Sequence, residues 1–437
     1  MNIVIMVAQL ILGLSILVVL HELGHFLAAR AFGIRVEKFY LFFDAWNFKL
    51  FSFKIGETEY GMGWLPLGGY VKIAGMIDES MDKEQLSKPV EPWEFRAKPA
   101  WQRLIVMIGG VTVNLVLGIL VFAFILLQYE KEYLPISQVN KDGVYASVAG
   151  TDAGFKTGDK IIAINGEEIV RFKDVQSLRN LFGSVYSVER DGQKLDVTIS
   201  DDFYKTEAKS VRNRFLDASN FAPIIDSVIP GFPAQKAGLL KKDHLLTLNG
   251  TPISSYGAFR DSIIARAGDT VRLAVLRDGD TTILKIANDS MGFIGITAKI
   301  PYTGEKYTVG SALRFGFNDA MDMLVINVKG LGKVFSGKEK ATESIQGPIG
   351  IARIYGSQWV WSKFWYITGL LSLVLAFMNI LPIPALDGGH VVFLFWEIIT
   401  GKKPSDKFLE YAQIVGMVIL FGIMAFAFGN DILKLFR

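Results

Sequence analysis

The chain has 437 residues, 51% of them hydrophobic and 20% charged, with a mean hydropathy of +0.33. That balance excludes an ordinary soluble enzyme and reads as a membrane protein with soluble inserts. A net charge of +3 without a basic stripe excludes a nucleic-acid binder, and the absence of cysteine excludes disulfides and thiolate metal ligands.

The first apolar run, 3–29, contains His21-Glu22-Leu23-Gly24-His25. Positions i and i+4 share a helical face, so both imidazoles reach one ion while Glu22 stands beside it as a proton acceptor, the arrangement of zinc hydrolysis. An ionisable group in hydrocarbon costs about 2.5 kcal/mol or more and is seldom kept without a task. Residues 1–9 carry no Lys or Arg, so the run reads as a retained transmembrane helix, 1–30, and not as a secretory signal. Lys and Arg crowd the following loop, 31–103, which places it in the cytoplasm and puts both termini and the long central region outside. Alternating residues and Gly-rich turns at 51–73 predict a hairpin. A second span follows at 104–128.

The soluble stretch after it is too long for one typical domain and reads as a repeat. Ala153-Gly154-Phe155, followed by Gly158-Asp159-Lys160 and then Asn165-Gly166, recurs as Ala237-Gly238-Leu239, Lys242-Asp243-His244 and Asn249-Gly250. Arg190-Asp191-Gly192 is echoed by Arg277-Asp278-Gly279. Each unit, 136–202 and 221–290, is expected to hold a short buried strand ending at Asn-Gly, a helix (173–181; 256–267) and an Arg-Asp-Gly hairpin. His244 takes the place of Lys160 and is expected at the surface. Next, Leu313, Phe317, Met321, Leu324, Val325, Val328 and Leu331 fall at helical spacing, which predicts an amphipathic connecting helix at 308–337.

The third apolar segment, 364–400, is interrupted by Asn379, Pro382, Pro384 and Asp387. Two prolines cannot sustain a regular helix, and irregular backbone at membrane depth is tolerated only when buried in protein or lining a cavity. A carboxylate there is costly unless a metal stabilises it. Two histidines leave a zinc site one protein ligand short, and Asp387 is the expected third. Glu37, Glu57 and Glu59, in the charged loop, are the alternatives, and His390 ranks below Asp387. The fourth span is expected at 408–429.

Together, His21-Glu22-x-x-His25, Asn379-x-x-Pro382-x-Pro384-x-Leu386-Asp387-Gly388 and the paired repeat resemble the site-2 protease family of M50-type intramembrane zinc metalloproteases, specifically its bacterial RseP-type branch with tandem PDZ domains. Glu57-Thr58-Glu59-Tyr60, Pro66 to Lys72 and Asn114 are further family-like pieces. The chain departs from relatives at Leu41-Phe42-Phe43-Asp44, where they often have Gly-aromatic-Gly, and at Gly110-Val111, where they have Gly-Pro. The resemblance implies a polytopic α-helical membrane protein with four transmembrane helices. It also implies a membrane-associated β-hairpin or sheet in the first cytoplasmic loop, and two α+β PDZ domains inserted between the second and third helices. The second unit carries the fuller PDZ loop, Pro230-Gly231-Phe232-Pro233-Ala234, so Gly231 and Phe232 are expected to meet an extended peptide. The alternative for the pair is a steric filter.

The implied site has Zn²⁺ on His21, His25 and Asp387, Glu22 as catalytic base, and Asn379 with Pro382 and Pro384 along the substrate main chain. The implied substrates are pretrimmed single-span membrane proteins, such as anti-sigma factors and leftover signal peptides. The implied setting is the lipid bilayer of a bacterial inner membrane, with the PDZ units periplasmic. Two rivals are a noncatalytic PDZ scaffold, which would not need Glu22, and a surface zincin using Glu37 or Glu59 as third ligand.

Overall fold

The long apolar runs are helices in the computed structural model, which describes residues 2–66, 68–76, 89–177, 180, 183–200, 203, 215–337, 342 and 346–435. Among the described residues, four helices are long and apolar enough to cross a membrane: Ile3–Ala31, Ala100–Glu130, Trp361–Ile380 and Lys407–Lys434. The chain divides into two compact units, Met1–Glu130 with Thr308–Arg437, and Lys131–Tyr307.

In the first unit, α1 (Asn2–Ala31) carries the HELGH residues in its last third, and α2 (Ala100–Ile125) is the central element. The connecting helix α3 (Val309–Phe335) starts at a reciprocal Thr308/Ser311 capping box, as its amphipathic spacing predicts. The helix α4 (Pro348–Tyr355) precedes α5 (Trp361–Ile380), α6 (Asp387–Thr400) and α7 (Asp406–Leu435). Helices α1, α3, α5 and α6 all pack against α2. Val106 and Met107 of α2 are buried with Ala29, Val391 and Leu394, and Phe122 with Ala320 and Leu373. At the other end, the Asp431 carboxylate of α7 accepts from the main-chain N–H of Gly347 (3.1 Å), Ile349 (2.9 Å) and Gly350 (3.0 Å), satisfying the free donors at the start of α4.

The expected hairpin is half of a larger sheet. Strands β1 (Val36–Leu41), β2 (Lys49–Ile55), β3 (Thr58–Gly63) and β4 (Tyr70–Ile73) lie in the order β2-β3-β1-β4. Strands β2 and β3 pair antiparallel, β1 inserts parallel to β3 with Lys38 opposite Glu59, and β4 closes antiparallel on β1. Among the described residues, no further strand pairs with either edge. Along β2, Leu50, Phe51, Phe53 and Ile55 are each more than half exposed.

The third apolar segment is two helices. Regular structure stops at Ile380, the loop 381–386 holds both prolines, and α6 begins at Asp387.

The second unit contains the repeat. Strands β5 (Lys160–Ile164), β6 (Glu167–Glu168), β7 (Val185–Arg190) and β8 (Gln193–Thr198) lie in the order β8-β7-β5-β6. Strands β9 (His244–Leu248), β10 (Thr251–Pro252), β11 (Thr270–Arg277) and β12 (Asp280–Ala287) repeat that order as β12-β11-β9-β10. The turns Asn165-Gly166, Asp191-Gly192, Asn249-Gly250 and Asp278-Gly279 all have positive φ at both residues, the conformation that tight hairpins demand. Each unit has its own core, one around Ile161, Tyr186 and Phe215, the other around Leu245, Phe259 and Leu273. His244 is half-buried at the start of β9.

The repeat helices are shorter than their sequences suggest. The first is Phe172–Val175; Asn180 donates to the Asp174 carbonyl (2.8 Å), and residues 178, 179 and 181 lie outside the described residues. The second, Tyr256–Ile264, gives way to a turn that reaches Gly268 at φ 84°. Between the two repeats Tyr145 Oη donates to Asp261 (2.8 Å), and within the second Phe221 stacks on Tyr256.

Candidate metal centre

His21 and His25 project from the same face of α1, one turn apart, and Asp387 meets them from the first turn of α6. Their ligating atoms form a nearly equilateral triangle. His21 Nε2 lies 3.3 Å from His25 Nε2 and 3.3 Å from Asp387 Oδ2, and His25 Nε2 lies 3.4 Å from the same oxygen. Donors at about 2.0–2.1 Å from a tetrahedral zinc ion are spaced by about 3.3–3.4 Å, so the triangle matches one face of that polyhedron.

Asp387 Oδ2 supplies a second test of fit. It is buried and, among the described residues, accepts no hydrogen bond, although it faces two imidazoles. A buried carboxylate oxygen without a donor is costly, and a cation at the triangle's centre satisfies it. Among the described residues, His21, His25 and Asp387 are the group able to hold a metal ion.

The local fold explains how Asp387 arrives. Leu381 and Pro382 leave the helical path, Ile383 N–H returns to Leu381 O (2.7 Å), and Ala385 takes φ 77°. Ala385 N–H is met by Gln413 Oε1 of α7 at 3.2 Å. The loop folds back so tightly that a Cβ on Gly388 would lie 2.2 Å from Leu381 O. Hence Gly must follow Asp387.

Glu22 stands next to the triad on α1, half-buried, with the Val71 main chain of β4 beside it. Asn379, in the last turn of α5, brings its Nδ2 within 3.2 Å of His21 Nε2. Pro382 and Pro384 lie in the loop that carries Asp387. His390 falls one turn later on α6, outside the triad.

The alternative acids are engaged elsewhere. Glu37 pairs with Lys72 (3.3 Å), Glu57 with Arg35 (3.8 Å), and Glu59 with Lys49 (2.5 Å) and Tyr40 Oη (2.8 Å). Gly231 and Phe232 belong to the second unit. Gly231 has φ 85° and donates to Gln235 Oε1 (2.7 Å), and Phe232 packs edge-on to Phe293 at 5.2 Å.

Three contributors escaped the sequence reading. Val106 O receives His25 Nδ1 at 2.8 Å, but a main-chain carbonyl leaves no mark on residue type. Gln413, an amide in the last apolar helix, was a readable signal by the same membrane-cost logic that exposed Asp387. Arg103 of α2, paired with Glu397 of α6, holds the far end of the helix that begins with Asp387.

Residues 9–423 match the model of the family described as Peptidase family M50. Full-length relatives are similar as well. The chain is 27% identical to the "Regulator of sigma-E protease RseP" of Escherichia coli, covering 98% of each chain. It is 26% identical to the "Regulator of sigma E protease" of Haemophilus influenzae, over 97% of this chain and 98% of that one. It is 28% identical, over the same shares, to a Neisseria meningitidis protein whose name reads "Putative zinc metalloprotease".

Proposed function

The chain belongs to peptidase family M50, and from that membership we propose that it is a zinc metalloprotease that cuts peptide bonds within the membrane segments of single-span proteins. The observation that carries the proposal is the donor triangle of His21, His25 and Asp387, built on helices of membrane-spanning character and at the spacing a tetrahedral ion requires.

His21, His25 and Asp387 would hold Zn²⁺. Bound there, zinc supplies Lewis acidity, lowering the pKa of a ligated water to about 7 and polarising a carbonyl. Glu22 takes the proton of the attacking water and delivers it to the leaving amine, a task for a carboxylate beside the ligands that is not itself one. His25 is oriented by Val106 O, which receives its Nδ1–H and leaves Nε2 free to ligate. Asn379, close to His21 Nε2, offers both a donor and an acceptor to a substrate main chain, with Pro382 and Pro384 shaping the adjacent wall.

A transmembrane helix has its carbonyls hydrogen-bonded and shielded, so it must unwind before attack. The four-stranded sheet offers two open edges for an unwound segment: β4, beside Glu22, and β2, with its exposed apolar side chains. The bacterial relatives support an inner-membrane protein, and the charge distribution supports the loop that holds this sheet on the cytoplasmic side and the residues between the second and third spans outside. The two repeats are read as PDZ domains that screen or bind the substrate's external part, with Gly231 and Phe232 in the binding loop of the second. The relatives named as regulators of sigma-E support substrates of the anti-sigma-factor kind, trimmed beforehand, alongside leftover signal peptides.

The test is cleavage of a pretrimmed single-span reporter in membranes by the native chain and by Glu22→Gln at matched expression and measured zinc content. Loss of cleavage with zinc retained is expected. Equal cleavage by both overturns the mechanism.

A further inference from the structure

We infer that Asn114 is the positioning residue for His21, accepting the ring's Nδ1–H through its side-chain oxygen and so aiming Nε2 at the metal position. The inference rests on the reading of His21, His25 and Asp387 as metal ligands.

Both imidazoles turn Nε2 into the donor triangle, and His21 Nε2 also faces the Asn379 amide at 3.2 Å. A nitrogen that ligates a cation presents its lone pair, which leaves the ring proton on Nδ1. That proton needs an acceptor on the buried side of the ring. For His25 it is Val106 O, at 2.8 Å. For His21 the group within reach is the amide of Asn114, 3.2 Å from Nδ1 and fully buried.

The amide's orientation is then fixed by chemistry. With Nδ2 toward His21 two donors would confront each other, while Asn114 Oδ1 is buried with no hydrogen bond among the described residues. Oxygen and nitrogen of an amide occupy nearly the same space, so the hydrogen-bond network decides which is which. Turned over, Oδ1 accepts the His21 proton.

Three positions on α2, each four residues apart, build the cradle. Val106 contributes a carbonyl, Asn114 an amide, and Gly110 between them contributes no side chain. A Cβ on Gly110 would lie 2.4 Å from His25 Nε2 and 2.5 Å from His21 Cε1, so the rings lie directly on its backbone. The main chain at Asn114 is held in turn, its carbonyl accepting from Ser372 Oγ of α5 at 2.7 Å. That contact does not involve the side chain, so a substitution at 114 leaves it in place.

The experiment measures zinc affinity by chelator competition, and the visible spectrum of the cobalt-loaded form, for purified full-length native protein, Asn114→Leu, Asn114→Asp and His21→Ala. Loss of a hydrogen bond behind a metal-binding histidine weakens affinity by about ten- to a hundredfold. Asn114→Leu is expected to show that loss and a shifted cobalt spectrum, whereas Asn114→Asp, which keeps the acceptor, stays close to native. Native affinity and spectrum in Asn114→Leu overturn the inference. If Asn114→Leu fails to fold, Asn114→Asp decides: retained affinity supports the acceptor role, and loss rejects it. His21→Ala separates the two levels, since unchanged metal binding there would sink the metal-centre reading itself.

Discussion

Gly24 of α1 and Gly109 of α2 meet backbone to backbone: a Cβ on Gly24 would lie 2.4 Å from the carbonyl oxygen of Gly109. The contact sits beside His25 and sets the distance between the helix that carries the imidazoles and the one that orients them. Gly24→Ala must push the two apart, an overpacking that costs about 1–3 kcal/mol. We expect a lower unfolding temperature and zinc affinity reduced by about tenfold, the equivalent of roughly 1.4 kcal/mol. Gly422→Ala is the control, because among the described residues no atom beyond its own helix backbone and chain neighbours lies within 4 Å of its would-be Cβ. Equal effects of the two substitutions would contradict the close-contact account.

Asp387 and Glu59 divide the intramembrane reading from the surface one. Asp387→Ala is expected to abolish zinc retention and reporter cleavage. Glu59→Gln breaks the contacts to Lys49 and Tyr40 yet should leave zinc content unchanged, as measured by elemental analysis of the purified protein. The reverse pattern would place the metal in the charged loop.

Lys49, and after it Tyr40, hold the Glu59 carboxyl down at about 2 by donating hydrogen bonds to its charged form. A depressed carboxylate contributes stability that is fully present above its ordinary value of 4.5 and is lost as pH falls through its folded value. The difference in unfolding temperature between the native chain and Glu59→Gln should therefore be constant from pH 7 to pH 5 and close between about 4.5 and 2. A difference that persists at pH 2 would show that the side chain acts through packing.

In both repeats one arginine clamps a buried aspartate. Arg277 Nε and Nη2 donate to Asp243 Oδ1 and Oδ2 at 2.8 and 2.7 Å, and Arg190 holds Asp159 with both contacts at 2.7 Å. Removing the cation leaves a carboxylate that is 1% exposed in the second repeat. Arg277→Ala should destabilise that repeat by about 3 kcal/mol, the lower end of the range for breaking a buried pair, since Arg277 itself is partly exposed. Thermal unfolding with limited proteolysis mapped to 221–298 checks it.

The cluster of His21, His25 and Asp387 was legible because two independent rules converge on it. Helical spacing joins His21 to His25, and the cost of a carboxylate in an apolar segment singles out Asp387 despite its distance along the chain. Paired positive-φ turns were legible because Asn-Gly and Asp-Gly tolerate the required backbone. The Arg–Asp clamp was visible only as two separate echoes, Asp159 with Asp243 and Arg190 with Arg277; nothing in either echo says that they touch. Strand β1 escaped because it pairs parallel with β3 across an intervening strand, and such a pairing has no local turn to announce it. Gly24 and Gly110 escaped for another reason. A glycine reports close approach but never the partner.

The donor triangle also has a history within each molecule's making. Its two imidazoles are synthesised well ahead of its carboxylate, which emerges only with the helix beginning at Asp387. At about 5–20 residues per second, roughly 20 to 70 s separate their appearance at the ribosome. During that interval His21, Glu22 and His25 are already in hand but lack the third donor. Until Asp387 is made, the chain therefore has only two of the three donors that the triangle needs.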